Sequence, residues 1–295
     1  TPIVGGRVLV PFGSQKRVGI VVDLPVSSDV AKEKLKPIID VLDAESLFNS
    51  TTWDWLAWSA NYYRAALGDV LFQALPVKLR NGESAVKNDR TFWRITDLGK
   101  QALELGELKR AKKQAEALNL LLTQDLEKGN NEISSSIWSA LKGKDYVEEI
   151  IVPTEQKSWQ QALGDNPLVN LGNRLTLNKQ QALAFSQLIF QEGFNVWLLE
   201  GVTGSGKTEI YLQYIEEVLK KGKQVLVLVP EIGLTPQTVR RFQARFNVEI
   251  DVLHSNLNDT QRLNVWERAR TGQSAIVIGT RSALFTQFSD LGLII

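Results

Sequence analysis

The run Gly201-Val202-Thr203-Gly204-Ser205-Gly206-Lys207-Thr208 sets glycines, a lysine and a hydroxyl at the spacing G-x-x-x-x-G-K-[ST]. Residues of these types in this order handle phosphate. Glycines let backbone N–H groups turn inward onto phosphate oxygens, and the positive end of a following helix favours the anion further. Lys207 then reaches the β- and γ-phosphates of a nucleotide, and the Thr208 hydroxyl ligates Mg²⁺. Chance is the competing explanation, and the flanks argue against it. The apolar Val196-Trp197-Leu198-Leu199 ahead of the run reads as a strand, and Glu209 to Leu219 behind it reads as a helix.

These elements belong to a longer alternation. From Leu175 onward helices alternate with apolar strands: Val196 to Leu199, Val225 to Val229, Ile250 to Leu253 and Ala275 to Ile278. Strands buried on both faces and joined by helices make a parallel α/β sheet. Leu291 to Ile295 reads as the start of another buried strand. Three further segments sit at strand ends, where such sheets bind ligands. They are Pro230-Glu231-Ile232-Gly233-Leu234-Thr235-Pro236-Gln237, Leu253-His254-Ser255 and Gly279-Thr280-Arg281-Ser282-Ala283-Leu284-Phe285. Hydroxyls, open backbone N–H groups and an arginine suit a nucleic-acid backbone. Arg281 either binds that backbone or pairs with a carboxylate. His254, the single histidine, either touches a phosphate there or does nothing chemical, and Glu231 is read as structural.

Upstream, residues 1–80 form a β-rich segment. Arg7 to Gly13 and Arg17 to Val22 read as short strands of a hairpin, Pro37 to Leu42 as a further strand, and Thr52 to Ala66 as an aromatic helix. On that helix Trp53, Trp55 and Trp58 fit core packing better than base stacking. Asn81-Gly82 and the polar residues to Asn88 mark a boundary. Residues 90–153 read as a strand, helices and a returning strand, the order of a winged helix. Its basic run Lys109-Arg110-Ala111-Lys112-Lys113 is either a phosphate contact or a solvated helix face. A polar linker, 154–173, leads to the α/β segment, 174–295.

Composition narrows the classes. The chain has 295 residues, 43% hydrophobic and 23% charged, with a net charge of +1. That is ordinary globular material, and any basic surface is local. Without cysteine there is no disulfide framework and no thiolate metal site in these residues. No apolar stretch approaches bilayer length and no signal peptide opens the chain. The absence of Met suggests that residues precede Thr1 in the natural protein.

Taken together, the segments at 201–209, 229–237 and 278–285 resemble the first motor lobe of superfamily 2 helicases, and within it the bacterial replication-restart helicases. The resemblance extends upstream to Val10-Pro11-Phe12-Gly13, Tyr62-Tyr63, Gly68-Asp69-Val70-Leu71-Phe72 and Ala74-Leu75-Pro76. It implies a multidomain fold: a small β-rich domain that binds a DNA 3′ end, a winged-helix domain, and a partial α/β P-loop lobe of the RecA-like kind.

The same resemblance implies roles. Gln181 in Leu177-Asn178-Lys179-Gln180-Gln181 reads adenine, with Gln180 one place away as the alternative. Thr235, Gln237, Thr280 and Arg281 contact DNA, Gly13 lies in the 3′-end pocket, and Lys36 lies near its phosphate. A hairpin turn is the rival explanation for Gly13. The family further implies pocket aromatics upstream of position 1, and an Asp-Glu pair, a second lobe and a cysteine-rich zinc insertion beyond Ile295. The implied whole is an ATP- and Mg²⁺-dependent 3′-to-5′ DNA helicase, cytoplasmic and nucleoid-associated. It would recognise stalled forks, start primosome assembly, and meet single-stranded DNA-binding protein and other primosome proteins. These residues alone are expected to hydrolyse ATP poorly. The alternatives are a fork-DNA binder without turnover and another P-loop NTPase.

Overall fold

The computed structural model describes residues 1–25, 27–85, 89–108, 111–128, 133–153, 157–188 and 193–295. Lys109 and Arg110 of the basic run, the end of the polar boundary at 86–88 and the start of the linker at 154–156 lie outside the described residues. Two compact units form: Thr1–Ala85 with Lys157–Ile295, and Val86–Gln156.

The first unit opens with β1 (Arg7–Phe12), β2 (Gln15–Ile20) and β3 (Asp40–Val41), an antiparallel sheet in the order β2-β1-β3. Three helices follow: α1 (Ser50–Tyr63), α2 (Leu67–Gln73) and α3 (Val77–Arg80). Asn49 caps α1 by accepting the Thr52 amide. Leu56, Leu71, Leu75 and Leu79 are buried beneath these elements. Arg7 is buried with them, donating to both oxygens of Asp43 and to the carbonyls of Leu79 and Glu83.

The second unit contains β4 (Asp89–Ile95), α4 (Asp97–Glu104), α5 (Lys112–Leu121), β5 (Leu126–Glu127), α6 (Ser135–Lys142) and β6 (Val147–Pro153). Its sheet is antiparallel in the order β5-β4-β6. Trp93 and Trp138 stack in its core with centroids 5.2 Å apart, above buried Leu118 and Leu141.

The rest of the first unit is α7 (Trp159–Leu163), α8 (Lys179–Gln187), α9 (Lys207–Lys220), β7 (Gln224–Leu228), α10 (Pro236–Arg245), β8 (Ile250–Leu253), α11 (Asp259–Arg270), β9 (Ile276–Gly279) and β10 (Leu291–Ile294). The four strands run parallel in the order β10-β7-β9-β8. Ile215, Val225, Ile276 and Ile278 are fully buried between sheet and helices. This part packs on the N-terminal elements: Leu263 and Trp266 of α11 share one core with Leu56 and Leu79, and Gln287 accepts the Asn49 amide.

The expected strand over Val196–Leu199 does not form. Among the described residues the segment has no strand partner, and Val196 is 78% and Leu198 89% exposed. A strand has no hydrogen bonds of its own and exists only against a neighbour. Among the described residues β10 pairs with β7 alone, through a bulge between Leu291 and Leu293, and no strand lies on its other edge. Among the described residues no helix is long and apolar enough to cross a membrane.

Candidate nucleotide and nucleic-acid sites

The loop between Gly201 and Gly206 curls because two glycines take a conformation that side chains avoid: Gly204 and Gly206 both have φ +82°. At Gly206 a Cβ would also fall 2.3 Å from the Gln181 amide nitrogen. The cradle is therefore open only because glycine leaves it open. Gly206 is the N-cap of α9, so Lys207 and Thr208 begin the helix at its positive end. Lys207 Nζ donates to the loop's own carbonyls, Gly201 and Val202 at 2.5 and 3.0 Å. A bound phosphate would take the ammonium from them.

Gln181 reaches this loop. Its Nε2 donates to the Ser205 carbonyl at 2.8 Å, and its Oε1 accepts the Asn178 amide in a capping box that starts α8. Gln180, the neighbouring alternative, is exposed. One amide side chain thus fixes the helix start and the phosphate loop together.

The ends of the adjacent parallel strands β7 and β9 bring the segments after them to one sheet edge. Thr235 caps α10 by accepting the Thr238 amide at 3.2 Å, with Pro236 at the first helical position and Gln237 exposed beside it. Thr280 follows β9 as the N-cap of a short 3₁₀ turn that Arg281 opens. Arg281 takes the carboxylate role that its sequence left open, pairing with Glu231 at 3.0 Å. Its side chain stays 91% exposed, so a second acceptor has free access. The Glu231 carboxyl is held below the usual range by its own backbone amide and by Arg281. His254 is half-buried, its Nδ1 accepting the Asn256 amide at 3.2 Å.

In the N-terminal sheet Gly13 turns the β1–β2 hairpin with φ +61°. Among the described residues, its chain neighbours aside, no atom lies within 4 Å of the position a Cβ would take, so the turn explains its conformation. Lys36 is exposed in the chain leading to β3. The Ile39 amide donates to the Leu9 carbonyl, and β3 pairs with β1 at Leu9–Asp40 and Val8–Val41. Trp53 and Trp55 pack against the core, Trp55 with its ring 5.5 Å from Phe285. Trp58 departs from the core-packing expectation: it is 55% exposed and stacks on Tyr62. At about 3.6 residues per turn it falls opposite buried Leu56 and Ala60.

Sequence reasoning missed a buried polar cluster behind the phosphate loop. Arg245 Nη2 lies 3.2 Å from Glu209 Oε1 and 3.6 Å from Glu216 Oε2. Gln213 joins Glu209 to the Leu175 carbonyl, and Arg174 donates to Glu216. The available signal was Glu209 directly after Thr208 on the inward face of α9. Among the described residues no group of His, Cys, Asp and Glu could hold a metal ion by itself.

Comparison with known proteins gives both parts a family. Residues 1–76 match the model of a 3′ DNA-binding domain, and residues 178–295 match that of the DEAD/DEAH box helicases. The replication restart protein PriA of Haemophilus influenzae is 76% identical over 292 residues, covering 99% of this chain and 40% of that protein. PriA of Buchnera aphidicola is 34% identical over 301 residues, covering 100% of this chain and 40% of that protein. PriA of Bacillus subtilis is 48% identical over 124 residues, 41% of this chain and 15% of that protein. The chain spans about 40% of the length of the first two relatives.

Proposed function

The chain belongs to the PriA family of replication restart proteins, and from that premise we propose that it supplies the fork-recognising and phosphate-binding parts of an ATP-driven 3′-to-5′ DNA helicase. The observation that carries this reading is the glycine cradle at the N-terminus of α9, with Lys207 and Thr208 at its mouth.

Backbone N–H groups from Gly201 to Gly206 would receive the phosphate oxygens, and Lys207 would leave its loop carbonyls for the β- and γ-phosphates. Thr208 would give its hydroxyl to Mg²⁺, which keeps its remaining ligands as water and phosphate and so needs no protein cage. That donor set fits the residues present. The bound nucleotide supplies the reactive phosphoanhydride, and the metal neutralises charge on it. Gln181 would orient adenine while holding Ser205. In the proposed RecA-like lobe, Thr235, Gln237, Thr280 and Arg281 track the strand backbone. Gly13, at the hairpin turn, and Lys36 receive the 3′ end of a nascent strand. The 90–153 unit is read as a winged helix whose Lys112 and Lys113 face duplex phosphates. Fork DNA is then the substrate, with single-stranded DNA-binding protein and primosome proteins as partners of the whole protein, and zinc bound outside these residues. The setting would be the bacterial cytoplasm, at the nucleoid.

A second reading, a fork-DNA binder without turnover, draws on one observation: among the described residues the Val196–Leu199 segment that leads into the cradle has no strand partner. One set of titrations separates the readings. Fluorescent ATP with Mg²⁺ is bound to the chain, and affinities are measured for a fork with a free 3′-OH, the same fork blocked by a 3′-phosphate, and blunt duplex, at stated salt. The proposal expects nucleotide binding and a preference for the free 3′ end, both weakening for DNA as salt rises. Equal affinity for all three DNAs would sink fork recognition, and an absence of nucleotide binding would leave the binder alone.

A further inference from the structure

Helix α10 has Thr235 as its N-cap and Arg245 in its last turn, about 15 Å apart along the axis. The Arg245 side chain is 1% exposed, and its Nη atoms serve separate elements. Nη2 donates to Glu209 Oε1, and Nη1 donates to the Asn173 carbonyl at 2.9 Å. Glu209 is the residue after Thr208 in the first turn of α9. Asn173 stands at the head of the stretch that leads to α8 and Gln181, and Gln213 ties Leu175 of that stretch to the same Glu209 carboxylate. The Arg245 Nε is buried without a hydrogen-bond partner among the described residues. The guanidinium thus forgoes one donor while holding both carriers of the nucleotide site.

We propose that Arg245 is a positioning residue for the nucleotide site, and that through α10 it links occupancy of the strand-contacting edge at Thr235 to the phosphate loop. The inference rests on the reading of Thr235 and Gln237 as strand contacts and of Lys207 and Thr208 as phosphate contacts. A charge buried in this way costs desolvation that an apolar residue would avoid, so stability alone is a poor reason for it. The loop itself supplies the second state, because Lys207 must exchange its own carbonyls for phosphate. A strand seated at Thr235 bears on one end of α10, and a rigid helix delivers that displacement to Glu209, beside the residues that rearrange. By linkage, nucleotide then alters affinity for the strand by the same factor that the strand alters affinity for nucleotide.

The test titrates mant-ATP with Mg²⁺ in the presence and absence of saturating oligothymidylate, then titrates the oligonucleotide with and without saturating nucleotide. The whole chain is used throughout. The expected result is a shift of about fivefold or more in each Kd, equal in both directions. Arg245→Lys keeps the charge but cannot bridge Glu209 and Asn173. It is expected to weaken nucleotide binding about fivefold and to bring the coupling factor towards one, a readout that a purely structural residue would not move. Should that variant not fold, Glu209→Gln, which leaves Arg245 to Glu216, is expected to at least halve the coupling factor. A folded variant with wild-type coupling overturns the inference, as does a wild-type chain that binds both ligands without coupling. A chain that binds no nucleotide or no DNA removes the reading of the sites, and the inference falls with it.

Discussion

Arg281 donates from Nε and Nη2 to a single carboxylate oxygen of Glu231, at 3.2 and 3.0 Å. The acid follows β7 and the arginine follows β9, adjacent parallel strands whose ends share one edge. Both side chains are largely in solvent, so the pair contributes little to stability and a phosphate competes on near-equal terms. In the proposed role of Arg281 as a strand contact, Glu231 would be the acceptor that an arriving phosphate replaces.

That relationship fixes opposite outcomes for its two members. Glu231→Gln removes the competing charge and is expected to tighten single-stranded DNA binding about two- to fivefold. Arg281→Ala removes one phosphate contact, so the slope of log K against log salt should fall by about one. Fluorescence anisotropy across a salt series checks both. An unchanged slope in Arg281→Ala would mean that Arg281 serves Glu231 alone.

Among the described residues Lys207 spends its hydrogen bonds on the loop that carries it, at the Gly201 and Val202 carbonyls. Lys207→Ala is therefore expected to cost tenfold or more, as an order-of-magnitude figure, in Mg²⁺–nucleotide affinity, while Tm moves by no more than about 2 °C. Calorimetric titration beside a thermal melt measures the two. Wild-type affinity in this variant would take the phosphate away from the cradle.

What the sequence made legible is what short-range chemistry decides. Gly204 and Gly206 take the left-handed backbone that the motif requires, Pro236 and Thr235 start α10, and the hairpin turns at Gly13. The apolar runs at β7, β8 and β9 pair because each has a neighbour. The equally apolar Val196–Leu199 has none among the described residues, and no pattern within 196–199 distinguishes the cases. Trp58 and Trp55 look alike in sequence, yet only Trp55 meets Phe285, more than two hundred residues away. Glu209 with Arg245 and Arg7 with Asp43 are likewise pairs that only the fold brings together, and a single sequence carries no signal of such partners.

Arg7 and Asp43 test how firmly the N-terminal sheet is held. The guanidinium is fully buried and the carboxylate nearly so, and Arg7 also satisfies the Leu79 and Glu83 carbonyls. Asp43→Ala strands a buried cation and is expected to destabilise the first unit by about 3–5 kcal/mol. Replacing both partners, Arg7→Met with Asp43→Leu, should recover most of that loss, because the unpaired charge goes with its partner. Urea unfolding followed by tryptophan fluorescence reads the difference. A double variant no better than the single would assign the stability to the other bonds it lacks, those of Arg7 to the Leu79 and Glu83 carbonyls and of the Arg7 amide to Asp43.

Glu216 sets a pH dependence whose sign follows from its surroundings. Burial pushes its carboxyl up, but the Lys220 ammonium with Arg174 and Arg245 outweighs burial and holds it below its ordinary value. In the unfolded chain Glu216 takes a proton in the ordinary range, about pH 4 to 5. Through that window the unfolded state binds more protons than the folded one, so stability rises with pH. The contribution is complete above the unfolded pKa and is lost as pH falls through the lowered folded pKa. Glu216→Gln is therefore expected to melt lower than wild type at pH 7, with the two Tm curves converging as the buffer is taken towards pH 3. Curves that stay parallel over the whole range would mean that the variant disturbs packing and that the carboxylate charge contributes nothing to holding Arg245.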